Sequence, residues 1–129
     1  MRRDYIKKMK SLDKALLAAD IIMERKAVEP VLFNVGEMSS FTDYFLIAGG
    51  NSTRQVQSIE RHLEKKMKEN GFKSYGIEGE LEGQWILMDY GDLIIHLFYQ
   101  PVREFYDLEG LWMEAPRIEI KDNDPTGKK

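Results

Sequence analysis

The sequence predicts a mixed α/β fold, a β-sheet of about five strands packed with helices, and three stretches carry that prediction. Gly83 to His96 reads as two strands joined at Gly91-Asp92, because glycine at the first turn position supplies the positive φ a two-residue hairpin needs. Tyr44 to Ala48 is a continuous apolar run and reads as a central strand. Leu12, Ala15, Leu16, Ala19, Ile22 and Met23 recur at helical spacing, as do Val56, Ile59, Leu63 and Met67.

Taken in order, Ser11 is a candidate cap for a helix running to about Lys26, which Glu29-Pro30 ends because a residue before proline avoids the helical region. Val31 to Val35 is a strand, Gly36 to Asp43 a polar loop, and Tyr44 to Ala48 the central strand. Gly49-Gly50-Asn51-Ser52 then opens a long helix over Thr53 to Asn70. Ser52 followed three residues later by Gln55 has the form of a capping box, and Gly71 suits the left-handed position after the helix. A short strand near Lys73 to Ile77 is expected to return parallel to the central strand by a crossover. After the hairpin, Pro101 starts a helix carrying Val102, Phe105, Tyr106, Leu108, Leu111 and Trp112. The pattern fades beyond Pro116. The chain divides into a basic arm over 1–10, one α/β domain over 11–113 and a polar, flexible tail over 114–129.

Side-chain alternation sorts the hairpin into two faces. Ile86, Met88, Tyr90, Leu93, Ile95 and Leu97 form a nearly continuous hydrocarbon face, the expected core. Trp85, Leu87, Asp89, Ile94, His96 and Phe98 form the other, which reads as core or as a recognition surface.

With 129 residues the chain fits one domain, burying about two-thirds of the surface its unfolded form exposes. Its apolar runs are too short to span a bilayer, and the basic start lacks the apolar segment of a signal peptide, so a cytoplasmic setting is expected. Without cysteine there is no disulfide framework and no thiolate metal site. The net charge of −3 hides an uneven distribution. Residues 1–10 hold Arg2, Arg3, Lys7, Lys8 and Lys10 against Asp4. From Ser74 to Val102 there is no lysine or arginine, while Glu78, Glu80, Glu82, Asp89 and Asp92 fall inside. Such strands and loops repel phosphate backbones and favour a basic partner, or are simply solvated.

Several residue sets have the types that chemistry needs. Asp89 and Asp92 flank a turn, where nucleotidyl transfer places carboxylates to hold divalent metals, and the Gly50-Asn51-Ser52 helix start suits a phosphate. Alternation points Asp89 to one face and leaves Asp92 in the turn, so a capping turn and a hairpin turn are the preferred reading. His96 faces Leu87 in this register, with Trp85 and Asp89 as diagonal neighbours; Asp89 could orient it as a general base, but a structural histidine is preferred. His62 reads as a boundary residue, and Arg54 and Arg103 as surface or ion-pair residues. Trp85, an amphipathic ring beside an acidic loop, reads equally as a core tryptophan or as an anchor for a basic protein surface.

Taken together, Thr42-Asp43-Tyr44-Phe45, Gly50-Asn51-Ser52-Thr53-Arg54-Gln55-Val56, Glu78-Gly79, the run Gly83 to Asp92, His96, Arg103-Glu104-Phe105-Tyr106, Leu108-Glu109 and Leu111-Trp112 resemble the ribosomal silencing factor (RsfS, or Iojap) family, in family order over about residues 11–113. The resemblance implies an α/β core akin to a nucleotidyltransferase but without catalytic motif, activity, metal or cofactor. The long helix from Thr53 indeed follows the Gly-Ser start with no acid pair. It also implies a partner, the large ribosomal subunit, bound through ribosomal protein L-fourteen at the intersubunit face. Small-subunit joining is thereby blocked and translation damped, with roles in large-subunit maturation and homodimers off the ribosome; membrane and DNA are not expected partners. By motif position the partner contact falls on Trp85, Asp89, Tyr90 and Asp92, with Glu78 and His96 as further candidates, although alternation puts Tyr90 in the core.

Overall fold

A computed structural model describes residues 2–120, with side chains from Lys10 onward. The elements are α1 (Arg2–Glu24), β1 (Val28–Asn34), β2 (Tyr44–Gly50), α2 (Thr53–Glu69), β3 (Gly76–Glu78), β4 (Trp85–Asp89), β5 (Leu93–Tyr99), α3 (Gln100–Tyr106), α4 (Leu108–Leu111) and β6 (Arg117–Ile118). Six strands form one mixed sheet in the order β3-β4-β5-β2-β1-β6, one more than the expected five. The extra strand is β6, two residues paired antiparallel to β1 through Leu32 opposite Ile118 and Phe33 opposite Arg117. It lies in the stretch expected to be tail, and two residues carry too little pattern to be read as a strand.

The hairpin register is the expected one. Leu87 lies opposite His96, Asp89 opposite Ile94, and the Tyr90 amide donates to the Leu93 carbonyl at 2.8 Å. Gly91 takes φ +85°, a value that strains any side chain but costs glycine little. β2 runs parallel to β5 from Tyr44 opposite Leu93 to Gly50 opposite Tyr99, and all seven of its residues are buried, as a central strand's should be. β3 runs in the same direction as β2 but sits at the sheet edge, antiparallel to β4; the strand actually paired parallel to β2 is β5. The crossover through α2 thus closes one hairpin later than expected, because the hydrophobic β5 is the better central neighbour.

Alternation makes two cores. On one face Leu46, Ala48, Ile86, Met88, Ile95 and Leu97 pack against α1 and α2 through Ala15, Ala19, Ile22, Ile59 and Leu63. Each large aliphatic side chain so buried contributes about 2 kcal/mol. On the other face Phe33, Phe45, Ile47, Ile94 and Phe98 form a smaller core, covered only in part by Val102, Leu108 and Trp112.

Two helix boundaries and one capping detail depart from expectation. α1 begins at Arg2, so Ser11 is no cap: it lies inside the helix, buried, with its hydroxyl donating to the Asp92 carboxylate. The basic arm is therefore helical from Arg2. α2 keeps the expected cap, Ser52 Oγ accepting from the Gln55 amide at 3.0 Å, but Gln55 Oε1 reaches back to the Asn51 amide (2.7 Å), one residue before the cap. The last helix is broken at Asp107, which takes φ +46° and ψ +52° and splits it into α3 and α4. Residues 121–129 of the expected tail lie outside the described residues.

Candidate functional site

The half-covered second face of the sheet exposes an aromatic band. Trp85, at the start of β4, is half-buried. Its ring packs 4.8 Å from Phe98 and 5.1 Å from Tyr106, and Tyr106 meets Phe105 edge-on at 5.0 Å. Phe105 is 80% exposed and Tyr106 54%, so the band is unsatisfied apolar surface rather than core. Beside it Glu78, Gly79, Trp85 and Leu87 line a depression of about 350 Å³. The depression exists because β3 closes on β4 at Gly79, where a Cβ would lie 2.1 Å from the Trp85 carbonyl oxygen. Glu78 is exposed and lines it, so a carboxylate borders the apolar centre, while Glu80 and Glu82 are exposed on the loop that joins β3 to β4.

His96 lies beneath this band rather than on it. It is buried, and Trp85 Nε1 donates to its Nδ1 at 3.1 Å, which leaves the ring proton on Nε2. Burial pushes its pKa down to about 4, so the ring is neutral at pH 7. Nε2 has no partner among the described residues. Phe45 and Phe98 close around the ring at 5.2 and 6.3 Å. Asp89 does not orient it: its carboxylate accepts from the Gly91 amide at 2.8 Å. His96 is thus the buried acceptor that sets the tilt of Trp85.

Of the residues expected to meet a partner, Trp85, Asp89 and Glu78 reach the surface on this side, and the structure brings Trp85 and Glu78 to one depression. Tyr90 does not reach it. It is 2% exposed in the helix-covered core, where burial and then the Glu64 and Glu60 carboxylates push its hydroxyl up to about 12. Asp92 sits at the far end of the hairpin, with Lys14 Nζ 2.6 Å from Oδ1 and Ser11 on the other oxygen. Burial alone would raise its pKa; the hydrogen bonds from Lys14 and Ser11 and the Lys14 charge outweigh that and lower it. Asp89 and Asp92 therefore hold a turn and an α1–turn ion pair, with separate partners. Among the described residues no three His, Cys, Asp or Glu are grouped to hold a metal.

Three residues, Arg103, Phe105 and Tyr106, take roles beyond those that spacing suggests. Arg103 is buried, bonded to the Val28 and Glu29 carbonyls at 2.8 and 2.7 Å and paired with Glu109 at 3.0 Å, so it ties α3 and α4 to β1. Phe105 and Tyr106 look like helix-stripe residues in sequence. In the structure α3 presents Val102 and Arg103 to the sheet, which leaves both rings outward, and the helix ends at Asp107.

A family model described as "Ribosomal silencing factor during starvation" matches residues 8–129. A protein named ribosomal silencing factor RsfS from Halalkalibacterium halodurans is 38% identical over 105 residues, covering 81% of this chain and 90% of that protein. A mouse protein named mitochondrial assembly of ribosomal large subunit protein 1 is 31% identical over 99 residues, covering 74% of this chain and 43% of its own. A crystal structure of a Chromobacterium violaceum protein superposes with a TM-score of 0.77 at 28% identity, covering 90% of this chain and 98% of that one. This chain belongs to the ribosomal silencing factor family.

Proposed function

We propose that this chain is a translation repressor that binds the large ribosomal subunit through ribosomal protein L-fourteen and sterically blocks joining of the small subunit. Family membership supports the ribosomal setting, and the relatives' names point to silencing and to large-subunit assembly. The observation that carries the reading is the exposed aromatic band of Trp85, Tyr106 and Phe105 beside the acidic β3–β4 loop. An apolar anchor bordered by the Glu78 carboxylate complements a basic protein, and aromatic side chains dominate the energetics of such interfaces. In this reading Trp85, Leu87, Tyr106, Phe105 and Glu78 make the contact, Asp89 borders it, and His96 supports it from below; Tyr90 and Asp92 act only by holding the hairpin. The same band offers a second copy a place to dock off the ribosome.

The chain acts by binding rather than by catalysis. A metal-dependent nucleotidyltransferase using Asp89, Asp92 and the Gly50-Asn51-Ser52 loop would need the two carboxylates to converge, and each is engaged elsewhere. Ser52, for its part, is occupied as the α2 cap. A cytoplasmic setting fits this role, and among the described residues no helix is long and apolar enough to cross a membrane.

The test is sedimentation of the full chain with isolated large and small subunits across a salt series. Co-migration with the large subunit alone, with fewer joined ribosomes, is expected. Co-migration with the small subunit, or unchanged joining at saturation, would defeat the proposal.

A further inference from the structure

A second cleft lies at the opposite end of the hairpin from Trp85. It encloses about 430 Å³ between the 39–43 loop, the Gly91-Asp92 turn and α1. Two of its lining residues, Phe41 and Tyr75, are large aromatics standing 71% and 81% exposed. Tyr75 is held over the turn, its ring 3.0 Å from where a Cβ on Gly91 would be. Between the rings the lining is hydroxylic and ionic: Ser39, Ser40, Thr42, Asp43 and the Lys14–Asp92 pair. Thr42 is buried, and its Oγ1 has no partner among the described residues.

We infer that this cleft takes a nucleobase of single-stranded RNA, stacked on the exposed rings of Phe41 and Tyr75. Exposed aromatic faces beside hydrogen-bonding groups are how proteins hold unstacked bases, whose flat faces stack and whose edges bond. A volume of this size suits one base with its ribose and is too small for a helix or a strand of a protein partner. Of the two carboxylates, Asp92 is neutralised by Lys14, which leaves Asp43 to accept from a base edge rich in N–H donors, such as guanine's. The acidic strands and loops that form the cleft repel phosphates, so the partner for the RNA backbone is the basic start of α1. α1 lines the cleft at Lys14, and towards its start the same helix runs through Lys10, Lys8, Lys7, Arg3 and Arg2 against Asp4 alone. Stacking surface and cationic segment are independent features, and they meet at Lys14. The site is separate from the aromatic band, so either assignment can fail without the other.

The experiment is fluorescence anisotropy of a labelled single-stranded RNA of about ten nucleotides with the full chain, at several salt concentrations. Phe41→Ala and Tyr75→Ala are the test variants, since both side chains are exposed and their removal leaves the cores intact. Each is expected to weaken binding about tenfold with the salt slope unchanged. Reversal of Lys7, Lys8 and Lys10 to Glu is expected to flatten the slope. A purine-rich probe containing guanine should bind more tightly than a uridine-only one, and Asp43→Asn should narrow that gap. No saturable binding by the wild-type chain at low salt, or ring variants that bind like wild type, would overturn the assignment.

Discussion

Replacing Glu60 by Gln tests how much one buried carboxyl governs this fold. Glu60 lies on α2 and is only 5% exposed. Burial is the main cause that pushes its pKa up, from 4.5 to about 7; a hydrogen bond with Glu64 and the charges of Glu64 and Glu80 add to it, and Arg61 opposes it. A carboxyl–carboxyl hydrogen bond exists only while one partner keeps a proton. The folded state therefore holds its proton more tightly than the unfolded chain. Its contribution is fully present below pH about 4.5 and is lost as pH rises through about 7. Each pH unit of that window is worth about 1.4 kcal/mol, so the wild type forfeits about 3 kcal/mol between the two values. Glutamine keeps the shape, donates to Glu64 and carries no charge. Glu60→Gln should therefore match the wild type near pH 4.5 and exceed it by about 2–3 kcal/mol at pH 8, roughly a 10 °C rise in Tm for a domain of this size. Urea and thermal unfolding at pH 5 and pH 8 measure both. A variant no more stable than wild type at pH 8 would refute the reasoning. The site also bears on docking. Gln57 Nε2 anchors the β3–β4 loop by bonding the Glu80 and Leu81 carbonyls at 3.0 and 2.9 Å, and an ionised Glu60 adds a like charge beside Glu80.

Three further outcomes follow from the same geometry. Phe105→Ser removes a ring that is 80% exposed, so stability should change by less than about 0.5 kcal/mol while large-subunit binding falls at least tenfold; unchanged co-sedimentation would remove Phe105 from the interface. Trp85→Ala should cost about 3 kcal/mol, because it strips packing from Phe98 and Tyr106 and leaves His96 Nδ1 unbonded. An NMR titration should then find the His96 pKa moved up from about 4 towards 6.5 as water reaches the ring; a value still near 4 would show that Trp85 does not shield it. Ser52→Ala removes the α2 cap and should cost about 1 kcal/mol in urea unfolding, with Ser52→Gly costing less; equal losses would mean the hydroxyl is not the source.

Strong periodic signals are legible in the sequence. The Gly91 turn, the hairpin register, the buried central strand and the Ser52 cap all depend on neighbours within a few residues, so local chemistry suffices to place them. The aromatic band was half legible. Trp85 stood out by its acidic surroundings, whereas Phe105 and Tyr106 were hidden in an apparently continuous helical stripe. Tyr90 and His96 share the family's motif positions, yet both are buried, and burial is not legible in a motif because a residue can belong to one by supporting a surface from below.

Composition, spacing and turn chemistry by themselves determine the types of the longer elements and the two-faced hairpin, while the motifs in their order carry the resemblance to the ribosomal silencing factor family. The rest was settled in three dimensions. β5 displaced β3 as the parallel partner of β2, since the most apolar strand gains most from the sheet centre. Ser11 became a buried ligand of Asp92, 81 residues away, and Glu60 and Arg103 became buried polar groups held by partners distant or unforeseen. Such pairings join residues that no local pattern links. Their energies arise from desolvation and from contacts that exist only once the sheet has assembled.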